Sequence, residues 1–507
     1  MEIKTDIDYP RAFELLCDAS AEQPLEGEFT IPEYGLEIFR IVKAFAQPEI
    51  VQKLASGSRA TVEGYVRLTV IYLSEVSGRM SSLTQRLPFS RQFDLAKSAG
   101  STSEVFANAT MAYLNCRAVN PRRIDVRGAL NITAKVLSRT GDGIVRSIAG
   151  DGVQKKEITR EYLFESACEE KQFTLEETLE FDREGCETPR LLRSNGYAVV
   201  EDVELGDRRA VISGYVNVQI AADISLEDEC RVKRAGFNLP FSQTVELMGG
   251  AATDLIPACD ASIISCSVTP ESDGSASVSA VCAIELRLFE RASAQLLSDA
   301  FCTKCEIAIS REIISLCTER RFVHQPVGVR FSGECLGAGV KLVDYFITEP
   351  SMTYEPLESA VHGVATLCCI VFDEHAELMS EEYPFEFTVR TDGEAVADNY
   401  YAKLDAFFEN IECSISDGKI SLRCEGAVEA RIMELARISA VTNVVANENA
   451  AKTGTASALR VYYANAGEEL WDIAKRFNAS ADEIALENSI AGSRTETAGP
   501  LLVPAAV

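Results

Sequence analysis

The sequence predicts a mainly β protein, with tandem antiparallel β domains followed by a small α/β module of strand–helix–helix–strand order. Three observations carry this. Apolar and polar residues alternate over most of the 507 residues, landmarks recur at a spacing of about 150 residues, and only roughly the last fifty residues change to helical spacing.

The alternation defines the body. Val62, Gly64, Val66, Leu68 and Val70 share one face, with Glu63, Arg67 and Thr69 on the other, and Ile212, Gly214, Val216, Val218 and Ile220 repeat it. Further on, Ile124, Val126, Leu130, Ile132 and Val136 alternate with Asp125, Arg127, Asn131, Thr133 and Lys135. The same rhythm returns as Ile420, Leu422, Cys424, Val428 and Ile432 against Ser421, Arg423, Glu425, Glu429 and Arg431. Half-buried antiparallel strands have this period of two, and the charged face is expected to meet solvent. Ser77-Gly78, Asn120-Pro121, Asp273-Gly274 and Asp417-Gly418 mark turns between strands.

The landmarks define three copies. Gly64-Tyr65-Val66 returns as Gly214-Tyr215-Val216 and, less closely, as Gly363-Val364-Ala365. Leu87-Pro88-Phe89-Ser90 returns as Leu239-Pro240-Phe241-Ser242 and as Tyr383-Pro384-Phe385-Glu386. The expected domains are 1–145, 155–295 and a divergent third at 296–445, each a sandwich or open curled sheet. The Pro-Phe pairs belong at a strand start or edge, where a missing N–H costs little. Gly141-Asp142-Gly143 and Gly150-Asp151-Gly152 suggest a flexible connection between the first two, and the small polar residues 446–457 suggest a tether.

Residues 458–507 form the terminal module. A short apolar strand (Leu459, Val461, Tyr463) precedes a turn at Gly467. Leu470, Ile473, Ala474 and Phe477 then share one helical face, and Ala481, Ile484, Ala485 and Asn488 a second, with Ser480 as its cap. Leu501-Leu502-Val503 closes the module as a strand. The run from Gly467 through Leu470-Trp471, Ile473-Ala474 and Phe477, with Asn488-Ser489-Ile490, resembles a LysM domain, a module best known for binding peptidoglycan or chitin. Two departures weaken the sugar-binding expectation. Glu468-Glu469 stands where the family usually has Asp-Thr, and Pro500 follows Gly499 where it usually has Gln.

Gly-Tyr-Val, Leu-Pro-Phe-Ser and then Val119-Asn120-Pro121-Arg122 before an alternating strand resemble the SPOCS domain of spore-forming Firmicutes. Tandem SPOCS domains with one C-terminal LysM domain are similar to a clostridial family of spore-coat morphogenetic proteins. That resemblance implies a non-enzymatic factor in the mother-cell cytoplasm, at the forespore surface or spore coat. Its implied partners are the morphogenetic ATPase of the coat's basement layer and other coat proteins.

Composition narrows the alternatives. A formal charge of -28 repels phosphate backbones and anionic lipids, so no nucleic acid is expected. The N-terminus carries acids and no apolar run, and no stretch approaches a membrane span, so neither export nor membrane insertion is expected. The 16 cysteines are then expected as thiols, the close pair Cys302-x-x-Cys305 included. The histidines, His324, His362 and His375, stand in no metal or catalytic spacing. No Gly-Lys-Ser/Thr follows the glycine clusters, and nothing selects a carboxylate pair. No cofactor, metal or catalytic residue is expected.

The expected contacts are Ala466, Gly467, Glu468 and Glu469 after the first strand, and Asn488, Ser489, Ile490 and Ala491 after the second helix. A module kept from the cell wall is expected to bind a protein there. Peptidoglycan binding is the alternative, and a wall hydrolase within the β domains is the enzyme-class alternative.

Overall fold

The computed structural model describes residues 3–33, 35–74, 79–100, 103–139, 143–181, 189–224, 231–247, 254–271, 273–335, 337, 339–348, 350–391, 399–451 and 459–504. They form antiparallel sheets and two short helices. No described helix is long and apolar enough to cross a membrane.

The strands fall into three successive units with one path. After β1 (Lys4–Asp8), unit 1 comprises β2 (Phe13–Thr30), β3 (Ile38–Ser74), β4 (Met80–Ala99), β5 (Ser103–Asn120) and β6 (Arg123–Arg139). After β7 (Ile144–Ala149), unit 2 comprises β8 (Val153–Glu180), β9 (Arg190–Leu205), β10 (Arg209–Asp223), β11 (Val232–Glu246), β12 (Ile256–Pro270) and β13 (Ser275–Cys302). Unit 3 comprises β14 (Cys305–Glu334), β15 (Lys341–Ile347), β16 (Ser351–Glu355), β17 (Ala360–Phe372), β18 (Leu378–Arg390), β19 (Tyr400–Ser416) and β20 (Lys419–Ala451). In each unit the first strand and the last two form one layer: β2-β6-β5, β8-β13-β12 and β14-β20-β19. The strands between form the other: β3-β4, β9-β10-β11, and β15 and β16 with β17-β18. β3 turns back at Gly57 (φ +57°), which sets Glu49 beside Gly64 and Arg67. The layers enclose one apolar core per unit.

The repeated glycines have a packing cause. Gly64 pairs with Phe89 and Gly214 with Phe241 across the ladder. A Cβ on Gly214 would lie 2.0 Å from the Val199 carbonyl oxygen and 2.9 Å from the Phe241 ring; on Gly64 the Glu49 oxygen and Phe89 ring lie at 2.1 and 2.8 Å. Only glycine lets the ring lie flat over the strand. The Pro-Phe strands β4 and β11 lie at the edges of their sheets, so Pro88 and Pro240 interrupt no outer ladder.

The third copy departs from the expected register. Gly363 pairs with Phe387, not Phe385, and the Phe387 ring covers it; Pro384 faces Thr366. The counterpart of Leu-Pro-Phe is therefore Phe385-Glu386-Phe387, two residues beyond the sequence match. Three further corrections follow. The segment expected as a flexible connection contains β7, paired with β1, and a tight turn at Gly150–Gly152 held by Thr303 N–H on the Gly152 carbonyl (2.8 Å), while Gly141 and Asp142 lie outside the described residues. The expected tether begins inside β20, where Ala446 and Asn447 pair with Ile307 and Glu306 and Ala451 with Cys305; residues 452–457 lie outside the described residues, as does the Ser77-Gly78 turn. Finally, the charged strand faces meet water over only part of their length: Arg127, Asn131, Thr133, Ser421, Arg423 and Glu425 are exposed, but Glu429 is buried and Lys135 and Arg431 are partly covered.

Those charged faces join the units. Lys135, Arg287 and Arg431 hold matching places, each equally far beyond the first buried residue of its strand (124 to 135, 276 to 287, 420 to 431). Arg431 of unit 3 meets Asp260 of unit 2 at 2.7 Å, and Arg287 of unit 2 approaches Glu104 of unit 1 at 3.5 Å. Lys135 of unit 1 donates to the Tyr400 carbonyl of unit 3 at 3.3 Å. The contacts close into a ring. Beside them lies a shared apolar core, with Val42, Leu192 and Val343 from matching strands and Met80, Val232 and Leu378 each equally far before a glycine-covering Phe (80 to 89, 232 to 241, 378 to 387). Glu429, expected on the solvent side, is 2% exposed.

Burial alone would raise the Asp260 carboxyl, but Lys403 and Arg431 outweigh it and hold the group below its ordinary value of 3.8. A depressed carboxylate contributes stability above its unfolded value and loses that contribution as pH falls through the folded one. Asp260→Asn is thus expected to destabilise the chain at pH 7 by about 3 kcal/mol, with the gap to wild type closing below about pH 4 in denaturant titrations. An unchanged gap at pH 3 would contradict this. Gly214→Ala should cost about 2–3 kcal/mol through its two clashes, whereas Gly236→Ala, with nothing within 4 Å, should cost almost nothing by the same measurement.

Candidate partner-binding site

The terminal module runs β21 (Leu459–Ala464), α1 (Leu470–Phe477), α2 (Ala481–Glu487) and β22 (Gly499–Pro504). Its helices form where the spacing places them. Asp472 lies in the first turn of α1 and Lys475 and Arg476 in its last, complementing the helix dipole. Asn478 ends it in the left-handed region (φ 56°). The Glu483 N–H donates to Ser480 Oγ at 3.4 Å, capping α2. Leu470, Ile473, Ala474, Ile484, Leu501 and Val503 make a core with Ala464.

The apolar residues Leu459, Val461 and Tyr463 lie on the outer face of β21. Ala464 is buried, while Leu459, Val461 and Tyr463 are 49%, 69% and 72% exposed. Arg460 and Tyr462 share the inner face with Ala464, and Tyr462 packs on the module core against Phe477.

Each expected contact residue has a definite place. Gly467 turns the chain at φ +81° and donates its N–H to the Thr495 carbonyl at 2.7 Å. Glu468 accepts from the Tyr462 hydroxyl (2.7 Å) and the Asn465 N–H (3.0 Å), and these bonds lower its carboxyl from the usual range. Glu469 meets Lys156 (2.5 Å) and Arg494 (2.9 Å), and is lowered by the bonds to both. Asn488 is fully engaged: its Nδ2 donates to the Ile484 and Leu502 carbonyls and its Oδ1 accepts from the Leu502 N–H. It splints α2 to β22. Ile490 packs on the module core, whereas Ala466, Ser489 and Ala491 are exposed.

Two features were not legible in the sequence. Thr495, 4% exposed, donates from Oγ1 to the Asn465 carbonyl (2.5 Å) and accepts from the Glu468 N–H (3.1 Å). It fastens the loop before α1 to the segment before β22, yet a lone threonine in a polar run carries no signal. The second is the seating of the module on the end of β13. Trp471 Nε1 donates to Asp299 Oδ2 (2.9 Å), Lys475 pairs with the same oxygen (2.6 Å), and Asn478 donates to the Thr303 carbonyl (2.6 Å). The Phe301 ring meets Trp471 edge-on at 5.1 Å. Burial would raise the Asp299 carboxyl, but Lys475 and Trp471 hold it below its usual range.

His324 bonds Glu429, and His362 bonds Glu358 and Thr388. Cys302 and Cys305 are buried at the turn between β13 and β14, and no cluster of three metal-ligating side chains occurs among the described residues.

Trp471 is the only tryptophan, so its fluorescence reports the seating. Asp299→Ala removes the charged acceptor, which should weaken the seating by about 2 kcal/mol and shift the emission to longer wavelength. Unchanged emission would refute the contact.

No protein-family model matches the chain, and no curated protein or solved structure matches it.

Proposed function

We propose that the protein is a non-enzymatic adaptor of spore-coat assembly. The three β units serve as a scaffold, and the LysM-like module tethers the coat's basement-layer morphogenetic ATPase to the forespore surface. The proposal rests on the sequence resemblance to SPOCS and LysM domains.

One observation favours a polypeptide over peptidoglycan as the ligand. The groups best suited to sugar hydroxyls are already engaged within the chain: both carboxylates of Glu468 and Glu469 and the whole Asn488 amide. What the two loops leave exposed is Ala466, Gly467, Ser489 and Ala491. Small side chains and bare backbone suit a protein surface, which brings its own large anchors.

The purified chain should capture the ATPase from extracts of sporulating cells. The double variant Ala466→Arg/Ala491→Arg, altered only at exposed positions, should weaken capture tenfold or more, about 1.4 kcal/mol. A chain ending at residue 451 should fail to capture. Capture undiminished by that truncation would overturn the role of the module, and pelleting with purified peptidoglycan that the double variant abolishes would establish the glycan reading instead.

A further inference from the structure

Three thiols line the core between the layers of unit 3, Cys369, Cys413 and Cys424, and two of them are in contact. Cys369, fully buried on β17, and Cys413, half-buried on β19, bring their sulfurs to 4.0 Å across the core. β17 and β19 belong to opposite layers and share no backbone ladder. Cys413 lies on an outer strand of its sheet and is only partly covered. Cys368 is not part of the pair, because successive strand residues point to opposite faces.

The pairing is particular to this unit. Cys116 of unit 1 faces Val126 as Cys413 faces Leu422. The place matching Cys369, equally far beyond its glycine (64 to 70, 363 to 369), holds Val70. The two thiols also differ chemically. Burial pushes Cys116 up to about 11, whereas the hydrogen bond from Cys369, with the nearby Arg234 charge, draws Cys413 below the ordinary thiol value despite its burial. Cys369 is raised, first by that same bond and then by burial. Cys413, the more exposed of the two, is the thiol that meets an oxidant first, and the buried Cys369 is the resolving thiol.

We infer that Cys369 and Cys413 form a disulfide that staples the two layers of unit 3 when the chain meets a low-molecular-weight disulfide. The Cys413 thiolate attacks one sulfur of the oxidant RSSR, breaking its S–S bond and releasing RS⁻. Cys369 gives its proton to solvent, attacks Cys413 Sγ and expels the second RS⁻. Two protein thiols become one disulfide, and RSSR becomes two RSH. Bond formation brings the sulfurs from 4.0 Å to about 2.05 Å.

The test uses the full native chain and oxidised glutathione, followed by alkylation, trypsin digestion and mass spectrometry. A peptide pair joined through Cys369 and Cys413 is expected, with two thiols lost from titration. The unfolding midpoint should rise by several degrees and fall back on reduction. Cys368→Ser should retain the cross-link and Cys413→Ser abolish it. Arrest of Cys413 as a glutathione mixed disulfide, a link through Cys368, or reaction no faster than at Cys116 would each overturn the inference.

Discussion

The structure depends on one recurrent contact: a cation in the last strand of each β unit reaching the neighbouring unit. Arg431 meets Asp260, Arg287 approaches Glu104, and Lys135 donates to the Tyr400 carbonyl. Because the third contact returns from unit 1 to unit 3, the chain closes on itself. Such half-buried charges must be matched, since a partner left alone in a dry interface is costly. Arg320 of unit 3 shares Glu104 with Arg287, so one carboxylate ties all three units. The ion pairs fix orientation, and the apolar cluster around Ile71, Leu192 and Ile370 supplies the burial that holds it.

This interlock determines what the terminal module can do. The long strands β8, β13, β14 and β20 continue past their sandwiches and pack with β7 on one another through Val145, Val153, Leu297, Ile307 and Val441. Their end presents Asp299, Phe301 and Thr303 to the module. A mounting of this kind fixes the Trp471 side of α1 and leaves the loops at Ala466 and Ala491 outward. A module mounted in this way loses less entropy on binding than one on a free tether.

Much of this was legible in residues. Alternation found the strands, and the i, i+3, i+4 spacing of Leu470, Ile473 and Ala474 found the first helix, because both periods are local properties of the backbone. The failures have physical causes. A shift of two residues leaves a strand's faces unchanged, so the pattern could not distinguish Pro384-Phe385 from Phe385-Glu386-Phe387 as the third landmark. Alternation also separates two faces without saying what covers each. It read Glu429 and Arg431 as solvated, although Glu429 is buried and Arg431 meets Asp260 of unit 2. The residues 446–451 read as a tether because a β ladder is held by backbone groups, which carry no side-chain signature. In the candidate site, Asn488 and Glu469 were found by resemblance, but their bonds to Leu502 and Lys156 span distances no local pattern reports.

If the ring of contacts makes the three units one body, they unfold together. Differential scanning calorimetry tests this directly, because a single cooperative unit has equal calorimetric and van't Hoff enthalpies. One transition for the β body with matching enthalpies is the predicted result. Three resolved transitions, or a calorimetric enthalpy about three times the van't Hoff value, would show three independent domains and contradict the account.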